Sequence, residues 1–296
     1  MPISTLIAAD ALESGMISDA SDRLRAAGCE PAEIEWLAPR HAVDIGFDGD
    51  IAAARIALAP LETVCDVVVQ ASDGRRKMLL VSDMDSTMIT VECIDELADY
   101  AGIKPEIAAI TERAMAGELD FAEALKARVA LLAGLQEEVI AQCLAERVKP
   151  MAGAELLVRT MKNWGAFSVL VSGGFTAFTG PVAQMIGFAE VHANVLEIVD
   201  GRLTGELIGE IVDAAEKRSV LIAAAQARNV RLEQILAVGD GANDLPMIAA
   251  AVDGHGLGVA YHPRPALANA ANLSVRHNDL SALLYAQGVR RDDWIE

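Results

Sequence analysis

Two aspartates one residue apart, Asp83 and Asp85, follow the apolar run Met78–Val81 and precede Ser86 and Thr87. Carboxylates this close repel, so the pair requires a cation, a shared proton or a chemical task. Three more clusters lie downstream. Ser172-Gly173-Gly174 offers a hydroxyl and unhindered backbone N–H groups, donors that suit an anion such as phosphate. Lys217 is a cation within a helical stretch, and Gly239-Asp240-Gly241-Ala242-Asn243-Asp244 adds two carboxylates and an amide. Singly, each has an ordinary explanation: an aspartate-rich turn, a glycine turn, a solvated helix lysine, a cap with a surface acid. The four in this order are far more specific than any one of them.

The elements that must position these residues can be read from period and length. Met78–Val81 is too short for a helix and reads as a buried strand. It delivers Asp83 and Asp85 to the carboxyl end of a sheet, where open α/β folds place their sites. Residues two apart in a strand share a side, so both carboxyl groups can meet one substrate. Phe167–Val171 is a strand ending at Ser172, and Ile235–Val238 is a strand ending at the Gly239–Asp244 cluster. Asp213–Arg228 is a helix carrying Lys217, and Val191–Leu196 with Arg202–Leu207 forms a hairpin about Asp200-Gly201. Strands alternate with helices up to a last helix at Leu280–Ala286, which predicts a Rossmann-like, doubly wound parallel sheet with right-handed crossovers.

Two further units flank this core. Residues 92–149 hold four helical segments broken at Gly102, Gly117 and Gly134, a bundle inserted as a cap that can act as a lid. Residues 1–73 read βαββαβ, the ferredoxin-like pattern, with Asp50 at the start of the second helix (Asp50–Leu58), and resemble the small amino-acid-binding ACT domains. Ser72–Lys77 is polar, contains a turn signal and reads as a linker. The expected organisation is therefore an ACT-like α+β unit at 1–73, a core at 74–91 and 150–296, and a helical cap at 92–149. A homodimer through the amino-terminal unit is one arrangement this pattern allows.

Composition narrows the function. Hydrophobic residues make up 53% of the 296, enough for a large core, and the formal net charge of −19 argues against nucleic acid and against a polybasic membrane patch. No apolar stretch reaches the length of a membrane span, and the first residues lack a signal-peptide layout. Cys29, Cys65, Cys93 and Cys143 show no paired spacing, as expected of reduced thiols in a cytoplasm. An enzyme this acidic that acts on an anion needs a local positive site, such as a metal ion.

The four clusters resemble the motifs of the haloacid dehalogenase superfamily, at Asp83–Thr87, Ser172, Lys217 and Gly239–Asp244. The stretches Glu92–Leu97, Met115-Ala116-Gly117, Phe121, Arg128–Leu132, Val171–Phe175 and Ala237–Asp244 are similar to the phosphoserine-hydrolysing branch of that superfamily, so the likeness covers about residues 78–285. It implies an aspartyl-phosphate mechanism. Asp83 would attack phosphorus, and Asp85 would act as general acid and then base. Mg2+ would be held by Asp83, the Asp85 backbone carbonyl and Asp240, with Asp244 orienting its shell; an all-oxygen set suits that ion. Ser172, the Gly173 N–H and Lys217 would hold phosphoryl oxygens, Asn243 would complete the pocket, and Thr87 would fix the turn. Phosphoserine also carries an ammonium and a carboxylate. Glu92 would take the first and Arg128 would clamp the second, with Phe121, seven residues before Arg128, facing the same pocket and Met115 adding apolar contact. The competing expectations are a phosphatase or phosphotransferase for another small phosphomonoester, and an amino-acid-sensing regulatory protein with an inactive core.

Overall fold

The computed structural model describes every residue except Ala116, Gly117 and Arg264, and the side chains of Met115 and Pro265 also lie outside the description. Among the described residues two sheets carry the molecule. The amino-terminal one uses β1 (Pro2–Ile7), β2 (Glu30–Ala38), β3 (Ala42–Asp48) and β4 (Asp66–Ala71), antiparallel in the order β2-β3-β1-β4. Helices α1 (Ser14–Ala26) and α2 (Ile51–Leu58) complete the βαββαβ order. Asp50 starts α2 as the sequence suggests, its carboxylate accepting the Ala53 N–H at 2.8 Å.

The larger sheet has the order β11-β10-β9-β5-β6-β7-β8. Its strands are β5 (Leu79–Ser82), β6 (Phe167–Phe175), β7 (Glu190–Val199), β8 (Arg202–Ile208), β9 (Ile235–Gly239), β10 (Leu257–Tyr261) and β11 (Leu273–Val275). All neighbours are parallel except the β7–β8 hairpin. That hairpin turns on Asp200 and Gly201, both at positive φ (52° and 72°), which matches the right-handed twist of the strands. The four residues of β5 are all buried, flanked by β6 and β9. A strand covered on both faces needs the continuous apolar run seen at this point of the sequence.

Helices α3 (Cys93–Ala101), α4 (Lys104–Met115), α5 (Phe121–Ala130) and α6 (Glu138–Arg147) form the inserted cap. Asp120 and Glu123 close a reciprocal capping box at the start of α5. Around the sheet lie α7 (Ala154–Asn163), α8 (Thr176–Ile186), α9 (Ala214–Ala227), α10 (Leu245–Asp253), α11 (Pro265–Ala268) and α12 (Ala282–Ala286). No helix among the described residues is long and apolar enough to cross a membrane, and all four cysteines are buried and unpaired.

Two local expectations change. Ser172-Gly173-Gly174 is not a turn after a strand: β6 runs on to Phe175, with a register shift against β7 between Val171 and Phe175. Such an irregularity bends a strand and leaves backbone groups unpaired by the ladder. The Ser72–Lys77 stretch is also no free linker. Arg75 donates to both oxygens of the buried Asp44 carboxylate (2.6 and 3.1 Å) and to Thr5 Oγ1 (3.0 Å), while Lys77 is only 4% exposed. Asp66 on β4 accepts from the Arg276 and His277 N–H groups and from Asn278 Nδ2, at 2.7, 3.1 and 2.8 Å. The amino-terminal sheet is thereby fastened to the segment that closes the core.

Candidate active site

The four clusters converge at the carboxyl ends of β5, β6 and β9. A cavity of about 320 Å³ is lined there by Asp83, Asp85, Ser172, Gly173, Asp240 and Asn243 from the core, and by Glu92, Phe121 and Arg128 from the cap. Lys217 lies under it, fully buried, near the start of α9. Met115 falls outside the described side chains.

The aspartates do not converge by strand alternation. Strand β5 ends at Ser82, and the chain turns through Asp83–Thr87, with Ser86 at a φ of 55°. The two carboxylates therefore part. Asp83 Oδ1 accepts from the Met84 N–H at 2.8 Å and from Lys217 Nζ at 2.7 Å, and its second oxygen has no protein hydrogen bond among the described residues. Asp85 turns to the cap: its Oδ1 accepts the Cys93 N–H at the first turn of α3 (3.1 Å), and its Oδ2 lies 3.5 Å from Ser172 Oγ. A helix N-terminus has unsatisfied N–H groups and a favourable dipole for such a carboxylate.

Asp244 is held most tightly. Its Oδ2 accepts from the N–H groups of Asp240 and Gly241, both at 3.1 Å, and its Oδ1 from Lys217 Nζ at 2.7 Å. Lys217 thus bridges Asp83 and Asp244. Burial works against its ammonium, but the Asp244 and Asp83 carboxylates outweigh it and push the lysine pKa above its ordinary value. Burial holds the Asp83 carboxyl well above the usual range, with Asp244 acting the same way and Lys217 opposing. Burial, then the charge of Glu92, pushes Asp85 up to about 7. A carboxyl group poised there can both give and take a proton near neutrality.

The residues fit a divalent cation. Asp83, Asp240 and Asp244 each place a carboxylate oxygen within 4.8 Å of the others. The set is all oxygen, which suits a hard cation. The Asp85 side chain is outside this group, in keeping with a backbone role at that position. Thr87 Oγ1 reaches Asp240 Oδ1 at 3.5 Å.

The anion cradle depends on missing side chains. A Cβ on Gly174 would stand 2.9 Å from Asp85 Oδ2 and 3.0 Å from Ser172 Oγ, and one on Gly173 would stand 2.9 Å from Phe121 Cζ. Ser172 Oγ accepts the Gly174 N–H at 2.8 Å. Across the cavity, the exposed Glu92 accepts from Ser86 Oγ at 2.7 Å, and half-buried Arg128 faces the carboxylates of Asp95, Glu92 and Asp85.

Three participants escape the sequence reading. Asp95 and Thr111 also line the cavity; Asp95 lies three residues after Glu92, a spacing that shares a helix face. Asn194 on β7 gives no sequence signal. Its buried amide donates to the Gly173 carbonyl (2.8 Å) and accepts from the Val212 N–H (2.9 Å). It ties the irregular part of β6 to the segment leading into α9, and so to Lys217. Asn194→Leu should lower kcat by about 10- to 100-fold, as expected when a cradle shifts by a fraction of an ångström, while Asn194→Gln or Asp restores part of it. Equal kcat in steady-state assays would remove Asn194 from the site.

Comparisons with known proteins assign the family. The haloacid dehalogenase-like hydrolase family model matches residues 80–249. The chain belongs to that family. Within it, similar proteins include phosphoserine phosphatases. One from Streptomyces coelicolor is 46% identical over 227 residues, covering 77% of this chain and 54% of that protein. The chain spans about half the length of that relative. The unliganded crystal structure of a probable phosphoserine phosphatase from Vibrio cholerae superposes with a TM-score of 0.78 at 34% identity, over 99% of this chain and 87% of the other. A substrate-bound phosphoserine phosphatase complex superposes with a TM-score of 0.65 at 36% identity, over 71% and 98%.

Proposed function

We propose that this protein is a Mg2+-dependent phosphatase that hydrolyses O-phospho-L-serine to L-serine and phosphate. The observation that carries the reading is one cavity with two ends. At the buried end, Asp83, Asp240 and Asp244 cluster over Lys217; at the cap end stand Glu92 and Arg128. A phosphate dianion belongs at the first, and the ammonium and carboxylate of an amino acid belong at the second.

Asp83 supplies the nucleophile. Its oxygen forms a bond to phosphorus as the bond to the seryl oxygen breaks, and Asp85 gives that oxygen its proton. A water then attacks the phosphorus of the aspartyl phosphate, Asp85 takes its proton, and the bond to Asp83 breaks. Ser172, the Gly173 N–H, Asn243 and Lys217 hold the phosphoryl oxygens as charge shifts. Asp83, the Asp85 carbonyl, Asp240 and Asp244 would hold Mg2+, which neutralises charge on the transferred group when bound. Buried thiols fit a reducing cytoplasm, and hydrolysis of this substrate would complete a route to serine.

The test is phosphate release from L-phosphoserine with and without MgCl2. Release only with magnesium is expected; none under either condition would overturn the reading. Arg128→Ala should cut kcat/KM for phosphoserine by about 10- to 100-fold, the value of a lost charge-assisted contact. Turnover of p-nitrophenyl phosphate, which has no amino-acid end, should stay within about twofold. Equal losses on both substrates would refute the carboxylate clamp.

A further inference from the structure

A second cavity, of about 580 Å³, lies in the seam between the amino-terminal sheet and the core. Its walls come from α2 and β4 on one side and from residues 231–233, α10 and the segments after it on the other. Lys77 and Glu233, both on its lining, each precede by two residues the strands β5 and β9. Those are the strands whose far ends carry Asp83 and Asp240. The cavity is thus at the amino end of the parallel sheet, at least ~13 Å of strand away from the reaction centre.

Its lining carries three cations, Arg55, Lys77 and Arg231, against two carboxylates, the exposed Asp73 and Glu233. Lys77 is 4% exposed, and among the described residues its ammonium donates only to neutral acceptors, the carbonyls of Gly74 (3.0 Å) and Glu233 (2.8 Å). An ammonium has three donors, so one is left. Arg55, at the exposed rim, makes one hydrogen bond among the described residues, to the Val69 carbonyl at 3.0 Å, and feels the charge of Glu62. Among the described residues neither cation has a carboxylate within ion-pair distance. The Glu233 side chain is already paired with Arg231 at 2.7 Å. Burying a charge is costly, and burial lowers the Lys77 pKa to about 8, with Glu233 opposing and Arg75 pushing the same way. In a chain of net charge −19, a pocket lined by more cations than carboxylates is a local exception. Its volume is in the range of small-molecule sites.

We propose that this seam cavity binds a small oxyanion, a carboxylate or phosphate group held between Lys77 Nζ on the floor and the Arg55 guanidinium at the rim. Such a ligand would touch both the amino-terminal unit and the core and would hold them together. The site is separate from the phosphatase reading and does not depend on it.

Calorimetry on the full-length, metal-free protein tests this, with inorganic phosphate and malonate as probes. The part of the binding that belongs to the seam is the part lost in Arg55→Gln, an exposed change that leaves the fold and the reaction centre untouched. At least one probe should bind, and Arg55→Gln should weaken it about tenfold or more, the value of one charge-assisted contact, with phosphoserine turnover unchanged. Lys77→Gln, checked for folding by circular dichroism, should weaken the same probe. Phosphate alone binding would assign a phosphate-bearing ligand, and malonate binding a carboxylate. Absence of binding by either probe, or binding unchanged in Arg55→Gln, would overturn the proposal.

Discussion

Asp83→Asn is expected to reduce phosphoserine turnover by about 10⁴-fold or more, the scale on which loss of a nucleophile acts. The amide keeps the shape, so Met84 N–H and Lys217 Nζ, now bound to Asp83 Oδ1, retain an acceptor. What is lost is the anionic oxygen that can bond to phosphorus. Stability should move the other way. A carboxyl group whose folded pKa lies above its unfolded value costs stability once the pH exceeds the unfolded pKa. Asp83 is in that position, pushed up first by burial and then by Asp244. The neutral amide removes this cost, so Tm at neutral pH should be equal or higher. Single-turnover assays and thermal melts on one preparation separate the two effects. Activity close to that of the parent would end the assignment of Asp83 as nucleophile.

Lys217→Met should be severe in both respects. Lys217 is the shared counterion of Asp83 and Asp244, at 2.7 Å from each, and is fully buried. Removing one partner from a buried ionic group leaves charge uncompensated and typically costs about 3–5 kcal/mol. The midpoint of urea denaturation should fall accordingly. Added Mg2+ should recover part of the loss, because the Asp83, Asp240 and Asp244 carboxylates would then share another positive charge. Turnover should not recover, since the lysine also holds a phosphoryl oxygen in the proposed mechanism. A variant as stable as the parent without magnesium would show that Lys217 does not balance these aspartates.

Asp85 ties the cap to the chemistry. Its carboxylate accepts the Cys93 N–H on α3, and Glu92, the residue before it, helps raise its pKa. A substrate ammonium that neutralises Glu92 would lower that pKa again. In the proposed mechanism the proton on Asp85 would therefore be coupled to occupancy of the cap end of the cavity. That coupling would give a physical reason for substrate choice and proton transfer to share one helix terminus.

Much was legible without coordinates because it is local. The buried β5 run, the Asp50 cap, the Asp200-Gly201 turn and the βαββαβ order each depend on a few neighbouring residues whose conformational preferences act within one turn or strand. Of the residues in the four motifs, Asp83, Asp85, Ser172, Asp240 and Asn243 line one cavity, and Lys217 lies beneath it. Other features arise from contacts between distant positions. Asp83 and Asp85 diverge because the strand ends at Ser82, and the i, i+2 rule holds only inside a strand. Lys217 looks like any helix lysine until α9 packs it over Asp83 and Asp244, 134 and 27 positions away. Asn194 and Lys77 have no local mark at all. Their roles come from which carbonyls, amides and charges the folded chain brings near them, and only tertiary packing decides that.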